Sequence, residues 1–217
     1  FLPFTLGMVL IVTLGDLFSG EERTGMVPIL RSSKYGRASL LKCKLGAVVM
    51  ITTVLWILFQ LVMLMTIALT YTLRGATCTV LLFNGKPSIY GLNWLTYYLL
   101  QCAYSYLGTL VFTLFICCLS SILSLRLSMP LDLTITLLTG IPMNHFCYAD
   151  QAFDLLDKCR AMMPSQLMAA HPTLQVYQSY AFGNVIIQLP YVTAAAILIE
   201  SGLLLWFLHC REGEKAT

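Results

Sequence analysis

The sequence predicts an all-α, polytopic membrane helix bundle, with five membrane-crossing helices in 217 residues. Three observations carry that prediction. Apolar types make up 58% of the chain and charged types only 11%, whereas soluble domains carry about a quarter charged residues. A water-soluble fold of this size has too few charges to cover its surface, so the chain reads as solvated by lipid. Long runs carry no charge at all, as between Lys44 and Arg74 and between Lys86 and Arg126. Segments such as Val48-Val49-Met50-Ile51 and Leu110-Val111-Phe112 are apolar on every face. Strands of a membrane barrel would alternate, and backbone groups in lipid must bond within their own segment, which leaves the helix.

The five stretches follow in order, as one unit over residues 1–217. The first is 1–19, interrupted by Asp16 near its end, which reads as interfacial. The chain opens at Phe1 within an apolar run, without the basic start or small-residue cleavage site of a signal peptide. The expectation is that a longer protein precedes it. The second stretch is 45–73, longer than the roughly 20 residues a crossing needs, so it tilts or protrudes. The third, 92–125, begins in an interfacial turn near Asn93 and Trp94. The fourth, 131–149, is shorter and carries Gly140 and Pro142. Pro130 precedes it, which puts Asp132 in its first turn, where the helix dipole favours an acid. The fifth, 184–208, contains Glu200.

Basic residues orient the bundle. Segments 20–44, 126–130 and 209–217 share one side and hold nine Lys and Arg; segments 74–91 and 148–183 hold four. The richer side is the cytoplasmic one, so the first stretch runs inward and the C-terminal tail is cytoplasmic. Tyr71, Tyr90, Trp94, Tyr97 and Tyr98 then lie at outer ends and Trp206 at an inner end, the pattern of interfacial belts. The expected location is the plasma membrane.

Several chemistries are weak or absent. The net charge of +3 and the lack of basic-aromatic interleaving give no sign of nucleic acid as a partner. The eight cysteines form no CxxC pair. Cys43, Cys102, Cys117, Cys118 and Cys210 read as small hydrophobes in or beside apolar segments. Cys78, Cys147 and Cys159 fall on the outer side, where a disulfide stays open without framework spacing. His145 with Cys147 lacks the second ligand pair of a metal site. Gly85-Lys86 is preceded at the critical spacing by Val80 and followed by Pro87, so it is not a phosphate loop.

Polar groups inside the stretches are the candidates for function. Glu200 lies well within the fifth. A charged carboxylate there costs roughly 3 kcal/mol on insertion scales, so it faces a partner or a water-filled path. Two readings stay open: a residue of a pathway or helix pairing, and a protonated carboxyl bonded within the bundle. Gln60, Gln101 and Gln188 suit bonds between helices. Gly7, Gly108 and Gly202 permit close approach, within the chain or between copies. In the outer stretch 148–183, Phe153, Leu155, Leu156, Met162 and Met163 suggest a surface amphipathic helix broken by Pro164 and Pro172.

The connector 20–44 starts acidic and ends basic, with Met26, Ile29 and Leu30 at helical spacing. By charge alone it is a topology-fixing loop that binds anionic lipid; as a short amphipathic helix it meets a partner. Its pattern of Glu22 and Gly25, Leu30-Arg31-Ser32-Ser33, Gly36-Arg37 and Lys44-Leu45 resembles the first cytoplasmic loop of permease subunits of type-two ABC export systems. Met163-Pro164-Ser165-Gln166-Leu167-Met168, Tyr177, Tyr180 and Gly183 ahead of a final helix and charged tail are similar to the end of such permeases from Gram-positive bacteria. The resemblance implies six crossings, the first missing here, and short re-entrant or surface helices capping the exit. It implies that Glu21, Glu22, Arg23, Gly25, Met26, Ile29, Leu30 and Arg31 form a coupling helix against a separate nucleotide-binding subunit. ATP and Mg would be held by that partner, with no cofactor in this chain. A second copy or a similar permease would complete the pathway about a two-fold axis. Two other classes stand beside it. A non-transporting membrane protein, such as an immunity or sensor-partner protein, fits the same composition. An intramembrane protease fits poorly, because the Glu21-Glu22 pair has Met26 where that motif needs an arginine.

Overall fold

The computed structural model describes residues 2–15, 36–71, 82–83, 86–87, 93–123, 125–140, 162–168, 179–182 and 185–214. Within these the molecule is nearly all helical, and three helices are long and apolar enough to cross a membrane, over Leu41–Thr70, Trp94–Ile122 and Leu189–Arg211. In order, the elements are α1 (Leu2–Leu14), α2 (Gly36–Tyr71), β1 (Leu82–Phe83), β2 (Lys86–Pro87), α3 (Trp94–Ile122), α4 (Leu125–Gly140), α5 (Pro164–Leu167), β3 (Ser179–Phe182), β4 (Val185–Gln188) and α6 (Leu189–Glu214).

Helix α2 has 36 residues and no proline, so it reaches about 54 Å. The hydrocarbon core is about 30 Å thick, and the helix therefore tilts or projects beyond it. Three of its four threonines bond to their own helix: the Thr53, Thr66 and Thr70 hydroxyls donate to the Val49, Val62 and Thr66 carbonyls at 2.7, 2.8 and 2.7 Å, while the buried Thr52 hydroxyl has no hydrogen-bond partner. That back-bonding removes the cost of a bare hydroxyl in an apolar solvent. Helix α3 starts behind extended Asn93 and stops at Leu123, whose extended backbone ends the helical run while its N–H still donates to the Leu119 carbonyl.

Three boundaries differ from the sequence reading. Helix α4 begins at Leu125, so residues 126–130 are helical and not a loop, and Pro130 lies inside the helix. The proline removes one backbone donor and leaves the rest of the ladder intact. Asp132 accordingly sits eight residues into α4, beyond the first turn. Pro164 opens a helix where the sequence suggested a break, because proline at the first helical position gives up only an N–H that has no partner anyway. Helix α6 starts at Leu189, after an antiparallel hairpin that pairs Ser179 with Gln188 and Phe182 with Val185. A smaller hairpin pairs Leu82 with Pro87 and Phe83 with Lys86. The hairpins are joined by Gly183-Asn184 and Asn84-Gly85, residue pairs suited to tight turns.

Helix α3 is the hub. Half of its membrane window is buried inside the molecule, against 11% for α2 and 17% for α6. Its Phe112, Ile116 and Cys117 join Leu6, Leu10, Ile11 and Leu14 of α1, Val48 of α2, Met168, and Leu208 of α6 in one core. Cross-links fix the helix directions. Ser120 Oγ donates to the Gly15 carbonyl, Tyr104 Oη to the Pro190 carbonyl and Arg211 Nε to the Ser121 carbonyl, so α1 and α6 run parallel to α3. Tyr98 and Cys102 reach Gln60 while Tyr106 meets Thr53, so α2 runs antiparallel. The outward faces of α2 and α6 are apolar, with Met50, Leu69 and Leu198 each at least 70% exposed, an expanse suited to lipid or a partner rather than water.

The turn formed by Met163 to Met168 packs into the bundle through Ser165, Leu167 and Met168, which are buried, while Met163 stays exposed. Ser105 Oγ donates to the Met168 carbonyl at 3.0 Å. Gly108 lies directly under the Leu167 peptide: a Cβ there would overlap the Leu167 carbonyl and come within 2.7 Å of the Met168 nitrogen. Gly7 of α1 faces the flexible end of Met168, 3.1 Å from where its Cβ would be. Gly202 meets nothing within 4 Å. Close approach at Gly7 and Gly108 is therefore packing within the chain. Gly108→Ala should destabilise the detergent-solubilised protein by about 1–3 kcal/mol or more, the cost of overpacking against backbone that cannot yield. Gly202→Ala should be neutral or slightly stabilising, because alanine is the better helix former. Thermal unfolding of the two variants side by side checks the contrast.

Candidate functional site

The coupling residues named from the sequence, Glu21, Glu22, Arg23, Gly25, Met26, Ile29, Leu30 and Arg31, lie outside the described residues. So do Asp16, Cys78, Cys147, Cys159, His145 and the amphipathic stretch around Phe153. What the structure positions is the frame around them and the polar groups inside the bundle.

One end of the bundle gathers the basic residues. Gly15, at the end of α1, accepts the Ser120 hydroxyl at 2.7 Å. Lys44 of α2 lies within electrostatic reach of Cys117. Arg211 donates to the Ser121 carbonyl at 3.4 Å, a carbonyl in the last turn of α3 that has no helical donor, at the negative end of the helix dipole. The described residues that flank 16–35 thus lie at the end of α3 where Arg211 sits. Cys43 and Cys210 are free, exposed thiols at the same end, which departs from their reading as buried hydrophobes, whereas Cys117 and Cys118 are free and buried.

The intramembrane candidates separate. Gln60 accepts from Tyr98 Oη at 3.4 Å and from Cys102 Sγ at 3.6 Å, pairing α2 with α3. Beside it Trp56 packs on Tyr106 with ring centroids 5.1 Å apart. Gln101 is half-buried on α3, next to Cys102. Gln188 is the last residue of strand β4, ahead of α6, and not within a helix. Glu200 is half-buried on α6, between Ile197 and Leu204 that pack towards Val111 of α3. Its Oε2 is buried without a hydrogen-bond partner.

Two polar stripes line the middle of the molecule. On α3, Ser105, Thr109, Thr113, Cys117 and Ser121 recur every four residues and are all buried, so they share one face. Their hydroxyls are satisfied: Ser105 by Met168 O, Thr109 by Ser105 O at 2.6 Å, Thr113 by Leu110 O at 2.8 Å and Ser121 by Cys118 O at 2.8 Å. On α4, Ser128, Asp132 and Thr136 have the same spacing and are 0%, 2% and 3% exposed. Thr136 donates to the Asp132 carbonyl at 2.7 Å. Ser128 Oγ and both carboxylate oxygens of Asp132 have no hydrogen-bond partner. Asp132 lies within electrostatic reach of Cys117, which ties the two stripes together. The burial of Asp132 was not anticipated from sequence. Its visible signal was Ser, Asp and Thr at four-residue intervals through a segment that Pro130 made look like a loop.

Among the described residues no group of three His, Cys, Asp or Glu is arranged to hold a metal ion. Comparison with protein-family models, curated proteins and solved structures finds no match to this chain.

The helix directions predict a labelling pattern. In sealed vesicles, a membrane-impermeant maleimide applied on one side should modify Cys43 and Cys210 together. Applied on the other side it should spare both, and Cys117 and Cys118 should stay unmodified from either. Peptide-resolved mass spectrometry reads each site.

Proposed function

We propose that this chain is the transmembrane half of an ATP-driven exporter in the plasma membrane, working with a separate nucleotide-binding subunit and a second permease copy. The observation that carries the reading is the 20–44 connector. Its sequence has the acidic-to-basic pattern of a coupling loop, and its flanks converge on the end of the bundle that also holds Arg211. A rigid central helix contacting all the other long helices suits a subunit that must turn a push at one end into a rearrangement across the membrane. A partner drives such a change only by favouring one of two states.

In this reading five crossings belong to this chain. The coupling helix lies in the part of the connector ahead of α2, with Glu21, Glu22, Arg23 and Arg31 as polar contacts and Met26, Ile29 and Leu30 as apolar ones. ATP and Mg bind on the partner. In the same reading the turn at Met163–Met168, which packs on Ser105 and Gly108, is part of the cap over the exit.

The experiment is co-purification with the ATP-binding cassette subunit and assay of its ATPase activity. Glu22→Ala combined with Arg31→Ala should lower the permease-stimulated rate several-fold while the complex still assembles, since each removed surface contact is worth about 1 kcal/mol or less. Unaltered assembly together with unaltered stimulation would remove the coupling role. Failure of the native chain to bind any such ATPase would favour the non-transporting alternative.

A further inference from the structure

We propose that Asp132 and Ser128 form a binding site for a hard monovalent cation, a proton or a sodium ion, at the seam between α3 and α4. The inference rests on the membrane bundle alone and holds whether or not the chain partners an ATPase.

Asp132 is 2% exposed and Ser128 0% exposed. They stand four residues apart on α4, which places them on one face in adjacent turns. Neither carboxylate oxygen nor the serine hydroxyl has a hydrogen-bond partner. The buried hydroxyls around them make the contrast sharp, because Ser105, Thr109, Thr113, Ser121 and Thr136 all bond to carbonyls. Two unpartnered groups one turn apart on the same face of α4, opposite a stripe of α3 whose hydroxyls are bonded, form an acceptor set.

An ionised carboxylate buried without a donor or counter-charge is strongly disfavoured. Asp132 therefore holds something positive when the bundle is intact. Among the described residues no hydrogen bond reaches its carboxylate oxygens. Helix α3 contributes Cys117, which is within electrostatic reach. Described α1, over Phe4–Gly15, and the α5 turn, over Pro164–Met168, contain no ionisable side chain. Lys44 of α2 acts on Cys117, and no hydrogen bond joins it to the Asp132 oxygens. Carboxylate and hydroxyl oxygens are hard ligands, and one carboxylate balances one positive charge, whereas divalent sites in proteins gather more oxygen ligands. A proton or sodium ion fits the chemistry, and the two are distinguishable.

The test uses the full chain in lipid nanodiscs. A hydrophobic carbodiimide reacts with protonated carboxyl groups, and mass spectrometry follows its rate at Asp132 from about pH 6 to about pH 9. For a proton site the rate falls, reaching about tenfold per pH unit on the alkaline side, and sodium has no effect. For a sodium site, sodium chloride slows the reaction at fixed pH where choline chloride does not. In parallel, the thermal midpoint of the native chain should drop by several degrees as the site is emptied, by raising pH or withdrawing sodium. The sign follows from the folded state then holding a bare carboxylate that water solvates in the unfolded chain. Asp132→Asn, similar in shape and permanently neutral, should lose that dependence. A labelling rate insensitive to both pH and sodium overturns the proposal, as does an Asn variant that keeps the native dependence. If Asp132→Asn does not fold, the labelling of the native chain decides, with Ser128→Ala as the second variant: an unchanged response there removes Ser128 from the site.

Discussion

Backbone that enters an apolar solvent outside a long helix must have its polar groups satisfied by the protein, and the turn at 163–168 shows how this bundle meets that demand. Pro164 has no N–H to satisfy, the N–H groups of Gln166, Leu167 and Met168 return to the Met163 and Pro164 carbonyls, and the Met168 carbonyl takes the Ser105 hydroxyl. The turn then needs only space, which Gly108 provides by having no side chain beneath the Leu167 peptide. The same face of α3 carries Phe112, which joins Met168 and α1 in the core. Helices α1, α3 and the turn are in this way fixed by one another, and a defect at Gly108 propagates to all three.

The polar residues of the interior follow a consistent rule with few exceptions. Hydroxyls on α2 and α3 bond backward to carbonyls of their own helix, or across to Gly15 and Met168. Such bonds leave the helix surface chemically apolar while permitting small residues at close contacts. Glutamine and tyrosine side chains instead join helices, as Gln60 does with Tyr98 and Tyr104 with the Pro190 carbonyl. Bonds of this kind contribute about 0.6 kcal/mol each in membrane bundles, so they set register more than stability. Carboxyls behave differently because one bond does not discharge them, and Asp132 and Glu200 are the places in the described bundle where a carboxylate oxygen is buried without a partner.

Long uncharged runs made α2 and α3 visible in the amino-acid sequence, and a long apolar run broken by Glu200 alone made the membrane-length part of α6 visible, because a lipid-solvated helix admits little charge over its length. Boundaries were less legible where charge and proline mark an interface without saying which secondary structure crosses it. Arg126 and Pro130 suggested a loop, yet a helix tolerates one missing donor, and α4 runs through them. Pro164 suggested an end and instead supplied a beginning. The two hairpins had a local signal, Asn84-Gly85 and Gly183-Asn184, that apolar-run counting passes over. The Gly108 contact had no local signal: it joins residues some 60 positions apart, and only the fold brings them together. The same holds for Asp132, whose isolation depends on what α3 places opposite it.

Helix direction and charge distribution constrain each other in a way neither does alone. Parallel α1, α3 and α6 with antiparallel α2 bring Gly15, Lys44, Ser121 and Arg211 to one end through contacts that make no reference to a membrane. Independently, eight of the thirteen Lys and Arg residues fall in segments 20–44 and 209–217, which adjoin that end. Lys44 and Arg211 flank or belong to those segments, and the packing puts them together. The positive-inside bias would then hold that end towards the cytosol, and the orphan carbonyls at the end of α3 give Arg211 a reason to stay there. An arginine bonded at a helix terminus loses little by being at an interface, where its remaining donors still reach water and lipid phosphate. Moving it to the opposite end would strip α3 of a cap and place the charge beside Trp94 and Tyr98, so packing and topology select the same arrangement.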